Sequence, residues 1–78
     1  MKLIIDKGNT RTKVAVYKKE ELLSVTAVGR LDIGFIDDLF AKYDIKASIF
    51  SSVSGLETKD VMNYLSEKTQ LFIMSEDL

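Results

Sequence analysis

Residues 2–6 read KLIID, three aliphatic residues running without a polar break into an acid. Successive side chains of a strand point to opposite faces, so an unbroken apolar run suits neither face to water. The run therefore predicts a central strand covered on both faces, with the rest of the chain arranged around it. For 78 residues that is a demanding requirement, because so small a domain buries only about 60% of its unfolded surface.

The rest of the chain supplies candidates for that cover. Gly8-Asn9 is a two-residue hairpin signal, since Gly accepts positive φ and Asn tolerates it. Arg11 to Tyr17 alternates: Arg11, Lys13 and Ala15 share one face, Val14 and Val16 the other. Lys18 to Glu21 is a charged turn, and Leu22 to Val28 a third β-rich run. The period then changes. Asp32 is a plausible N-cap for a helix carrying Ile36, Leu39, Phe40 and Tyr43 on its apolar side. Asp37, Asp38 and Lys42 fall on its wet side. Lys46 to Val53 returns to strand. Ser54 and Glu57 have capping-box spacing before a helix that buries Val61, Met62 and Leu65, and Leu71 to Met74 is a last strand. The order is βββαβαβ. It predicts an α/β fold with a mixed five-stranded sheet, its antiparallel meander first and parallel neighbours added beside strand one. No internal repeat or linker interrupts residues 1–78, which read as one domain.

Composition narrows the chemistry. The chain has no Cys and no His, which excludes zinc–thiolate sites, disulfides and any His-based acid–base scheme. A metal would have to be a hard cation held by oxygen. Eleven cations against twelve anions, with no basic stripe, argue against nucleic-acid binding. The apolar run at the amino terminus is cut short by Asp6, unlike a signal peptide, and no segment reaches the length of a membrane span. The expectation is a soluble cytoplasmic protein.

One segment, DKGNTRTK, carries chemistry. As a plain hairpin, Gly8-Asn9 makes the turn, Asp6 bonds turn amides, and Arg11 and Lys13 are solvated. As a phosphate cradle, Gly8 lets phosphate oxygens approach the backbone and successive amides form a nest. Thr10 then adds a hydroxyl donor and Lys13 a positive charge, and Asp6 faces magnesium through its waters. An acid ending a buried strand costs free energy unless compensated, and a magnesium–phosphate ligand with nearby cations would compensate it.

The stretch LIIDKGNTRTKVAVY resembles the first phosphate loop of the type III pantothenate kinases, Asp-x-Gly-Asn-Thr with a Lys three residues after the Thr. IFSSV, residues 49–53, resembles their second landmark, a strand ending in Ser-Ser-Val near the active-site cleft. These enzymes belong to the superfamily of acetate and sugar kinases, chaperones and actin. Its ribonuclease-H-like domains begin with this meander and share the βββαβαβ order. Position 7 is usually apolar there; Lys7 here adds attraction for phosphate. The family has two such domains, and the likeness covers the first portion only. The Gly-x-Asp-Arg segment with the catalytic Asp, the adenosine pocket and much of the pantothenate pocket fall outside it.

The resemblance implies ATP-dependent phosphorylation of pantothenate to 4′-phosphopantothenate, the first step of coenzyme A biosynthesis. It implies magnesium, a monovalent cation (potassium or ammonium) and a homodimer in the full-length protein. By it Asp6 takes the magnesium–phosphate role, and Gly8, Asn9, Thr10 and Lys13 bind phosphate. Lys7, Arg11 and Thr12 lie within the same loop segment, and Ser51 and Ser52 line the cleft or simply end a strand. No catalytic residue is expected in these 78. A non-catalytic nucleotide- or protein-binding module, such as an accessory regulatory factor, stays open. So does a sister sugar-kinase or chaperone-type ATPase, although Asn9 favours the pantothenate branch. Asp37-Asp38 reads as a solvated helix face rather than a metal pair. Phe35, Phe40 and Tyr43 read as core rather than base-stacking groups, and Met62 and Met74 as core filler.

Overall fold

The computed structural model describes residues 1–8, 10–52 and 59–75. It contains β1 (Lys2–Lys7), β2 (Thr12–Lys18), β3 (Glu21–Val28), α1 (Ile33–Lys42), β4 (Ala47–Ser52), α2 (Lys59–Lys68) and β5 (Gln70–Ser75). The five strands form one sheet in the order β3-β2-β1-β4-β5. β1 pairs antiparallel with β2 and parallel with β4, and β4 pairs parallel with β5. The fold is α/β with a mixed sheet, and β1 is its centre, as its apolar run requires.

Alternation sorts the sheet into two faces. Leu3 and Ile5 of β1, Val14 and Val16 of β2 and Phe50 of β4 are buried on one of them. Ile36 and Leu39 of α1 and Val61 and Leu65 of α2 complete that core, so both helices cover the same face. Each such fully buried aliphatic side chain contributes about 1.5–3 kcal/mol. The other face differs from expectation. Among the described residues nothing packs over Ile4, which is only half-buried, so β1 is covered on one face, not two. Met74, expected in the core, is 59% exposed for the same reason: it stands in register with Ser51 and Asp6 on the uncovered face, whereas Leu71 of the same strand packs against the core.

Local signals explain most element ends. Asp32 caps α1, its Oδ1 accepting the Phe35 N–H at 2.8 Å. The cap carboxylate satisfies an amide that the first helical turn leaves unpaired. At the other end Tyr43 N–H donates to the Leu39 carbonyl at 2.9 Å. The capping-box pair Ser54 and Glu57, and Val53, lie outside the described residues. Thr69 follows the last residue of α2, and its hydroxyl donates to the Leu65 carbonyl at 2.7 Å. That uses its one proton, so the fully buried Ser48 hydroxyl of β4 donates to Thr69 Oγ1, 2.8 Å away. The β2–β3 connection places Lys19 at φ 57°, a left-handed conformation costing a side-chain-bearing residue roughly 1–2 kcal/mol. A bulge between Val16 and Tyr17 leaves Leu23 between two registers, where it packs against the core.

The two helices are clasped together away from the sheet. Phe40 and Tyr64 meet edge to face with centroids 6.0 Å apart, and Lys68 Nζ lies 5.7 Å from the Tyr64 ring centre. Asp37, on the exposed side of α1 with Asp38, accepts a short hydrogen bond from the Tyr64 hydroxyl. That hydrogen bond, with desolvation and the carboxylate's charge, raises the phenol above its ordinary value of 10.0. A group whose folded pKa is raised stabilises fully below the unfolded pKa, and that stability is lost as pH rises through the folded one. Tyr64→Phe should therefore lower the melting temperature at neutral pH. Above pH about 10 the parent should lose stability faster than the variant. Equal slopes for the two proteins in thermal melts across that range would contradict the clasp.

Candidate functional site

The hairpin residues lie at the carboxyl end of β1, beside the carboxyl end of its parallel neighbour β4. In open α/β sheets that edge is where ligands usually bind. Asp6 is opposite Lys13 on β2 and opposite Ser51 on β4. Lys13 is in turn opposite Ala27, and Ser51 opposite Met74. The acid, the cation and a serine distant in sequence therefore stand in one row on the face away from the helices. Asp6 and Lys13 are exposed there, and Ser51 is half-buried.

Alternation divides the remaining candidates. Lys7 pairs in register with Thr12 and Ser52, one position along from Asp6. Thr12 is 2% exposed on the helix-covered face, so its hydroxyl does not share a surface with Asp6 and Lys13. Thr10 and Arg11 are exposed between the strands, and Asn9 lies outside the described residues.

Three expectations change in detail. Asp6 looked buried in the sequence but is exposed, because the uncovered face and the strand end both admit water. Its charge therefore carries no large desolvation cost needing a ligand to offset it. The reversal also falls one residue later than Gly8-Asn9 suggests: Gly8 N–H donates to the Arg11 carbonyl at 2.9 Å, and Lys7 pairs with Thr12. That amide is consequently engaged within the loop. No described glycine has positive φ; the reason for glycine at position 8 is close approach, since a Cβ there would lie 3.1 Å from the Arg11 carbonyl oxygen.

The segment 6–13 carries Lys7, Arg11 and Lys13 against one acid, Asp6, in a chain of net charge −1. Its excess of cations suits an anion, and Asp6 suits a hydrated cation accompanying it. Among the described residues no group of three acids could hold a metal on its own. A second feature escaped the sequence: an open hollow of about 380 Å³ between the amino-terminal ends of α1 and α2, lined by Arg30, Leu31, Asp32, Ile33, Asp60 and Val61. Residues 30–33 and residues 60–61 are far apart in the chain, so no local motif announces it. Among the described residues no helix is long and apolar enough to cross a membrane.

Compared with known proteins, the chain matches no protein-family model and no curated protein.

Gly8→Ala tests the loop geometry. The nearest atom is backbone, so the hairpin must shift by a few tenths of an ångström. The expected cost is about 0.5–2 kcal/mol in urea unfolding, with amide chemical-shift changes centred on residues 7–12. A variant as stable as the parent, with unchanged shifts at Arg11 and Thr12, would refute the close approach.

Proposed function

We propose that residues 1–78 form the phosphate-binding part of an ATP-dependent small-molecule kinase, a ribonuclease-H-like domain of the type III pantothenate kinase kind. The observation that supports this reading is the row Lys13–Asp6–Ser51, in which the two motifs behind the resemblance meet at one sheet edge. Lys13 neutralises phosphate charge and Thr10 donates a hydroxyl proton to it, while Gly8 lets the loop close on the Arg11 carbonyl and so sets where these groups stand. Asp6 orients the waters of a magnesium ion. A lone exposed carboxylate fits magnesium, which keeps most of its waters and is held by one or two carboxylates plus substrate phosphates. Bound with ATP, magnesium would neutralise charge on the phosphoryl group in transfer. Pantothenate as acceptor, a monovalent cation such as potassium, and the homodimer belong to the same reading.

A second reading, binding without turnover, draws on the row itself. Asp6 is its only acid, and phosphoryl transfer also needs a residue that positions the acceptor hydroxyl. These residues alone should therefore bind phosphate weakly and transfer none.

The test is a titration of the chain with magnesium–ATP followed by backbone amide NMR. Shifts are expected at residues 6–13 and 51–52. Lys13→Ala should weaken binding roughly tenfold while changing folding stability by less than about 0.5 kcal/mol. Asp6→Asn should remove the magnesium dependence. Absent shifts, or shifts confined to the hollow between the helices, would sink the phosphate reading. A coupled ADP-release assay with pantothenate, magnesium and potassium should stay at background. Release that disappears in Asp6→Asn would show that these residues do assemble a complete kinase site.

A further inference from the structure

The hollow between the helix starts brings charges of both signs onto an aliphatic lining. Arg30, Leu31, Asp32 and Ile33 enter it from the segment that leads into α1, and Asp60 and Val61 from the first turn of α2. β3 and β4 run in the same direction as β1, and each is followed by one of the helices. The hollow therefore lies at the carboxyl end of the sheet, where α/β folds usually take their ligands. Its volume of about 380 Å³ falls within the range of small-molecule sites, roughly 300–1,000 Å³.

Helix stabilisation accounts for the acids but not for the rest of the lining. Asp32 caps α1 through Oδ1, and Asp60 in the first turn of α2 complements the dipole of that helix. Arg30 works against both, since a cation is unfavourable at a helix amino terminus. Among the described residues Arg30 and Asp60 are held in no ion pair, and the cap leaves the second oxygen of Asp32 unused. Ile33 is 37% exposed, whereas Leu31 and Val61 of the same lining pack into the core. From these residues we infer a binding site for a small zwitterion with a branched aliphatic side chain, a free α-amino acid. Arg30 pairs its carboxylate through the planar guanidinium fork. The ammonium has three protons to donate, and Asp60 and Oδ2 of Asp32 accept them. The aliphatic chain covers Ile33 and removes apolar surface from water. A ligand of single charge would leave part of this lining unmatched.

The site shares no residue with segment 6–13 or with Ser51 and Ser52, and it does not rest on the kinase reading. The probe is L-leucine, titrated alone into the chain and followed by backbone amide NMR. Shifts are expected at residues 30–33 and 60–61 and not at 6–13, with affinity in the millimolar range because the hollow is open to water. Such shifts stand whether or not magnesium–ATP moves residues 6–13. Isocaproate, which lacks the ammonium, and isoamylamine, which lacks the carboxylate, should each bind at least about fivefold more weakly. Arg30→Ala should weaken L-leucine about fivefold, to the level of isoamylamine, and Asp60→Asn should weaken it towards the level of isocaproate. Both residues are exposed, so both variants should keep the circular dichroism spectrum of the parent. No shifts at tens of millimolar L-leucine, equal binding of the three compounds, or L-leucine binding unchanged by both substitutions would each overturn the proposal.

Discussion

The pairing of β1 on both sides is the constraint on which the rest of this structure depends. Antiparallel contact with β2 sets the hairpin, and parallel contact with β4 requires a connection that carries the chain back past the sheet. α1 makes part of that return and, with α2, brings in the cover for Leu3 and Ile5. Because side chains alternate, the same pairings decide what shares a surface at the strand ends. Asp6 meets Lys13 and Ser51, while Thr12 is turned into the core.

The two faces of the sheet then have different physical fates. One is sealed by apolar residues from both helices, with the buried Ser48 hydroxyl satisfied by the half-buried Thr69, which itself bonds the last turn of α2. The other exposes an apolar row flanked by charges. A domain this small has little apolar burial to spare, so a half-covered β1 is an unfinished structure in energetic terms. The phosphate contacts proposed for Asp6, Lys13 and Ser51 would draw on the edge of that face.

The fold was largely legible in the residues themselves. Leu3-Ile4-Ile5 marked the central strand, the alternation around Val14 and Val16 marked the hairpin partner, and Asp32 before the Ile36–Leu39 periodicity marked α1. These signals are local: they depend on periods of two or 3.6 residues and on one cap. The turn was less legible. Gly8-Asn9 suggests a reversal one residue earlier than the bond from Gly8 to Arg11 allows. The resulting two-residue difference in register keeps every side chain on its face, so the hydrophobic pattern alone does not distinguish the two turns.

The sequence by itself determined the element order, the central place of β1, the capped start of α1 and the cationic character of residues 6–13, because each is written within a few neighbouring residues. Only the tertiary structure decided that Asp6 is exposed, that Ser51 stands beside it, that Met74 lies outside the core, and that both helices cover one face. These properties depend on which strand lies beside which and where each helix comes to rest. Such placements are sums of long-range contacts, and no short window of sequence contains them.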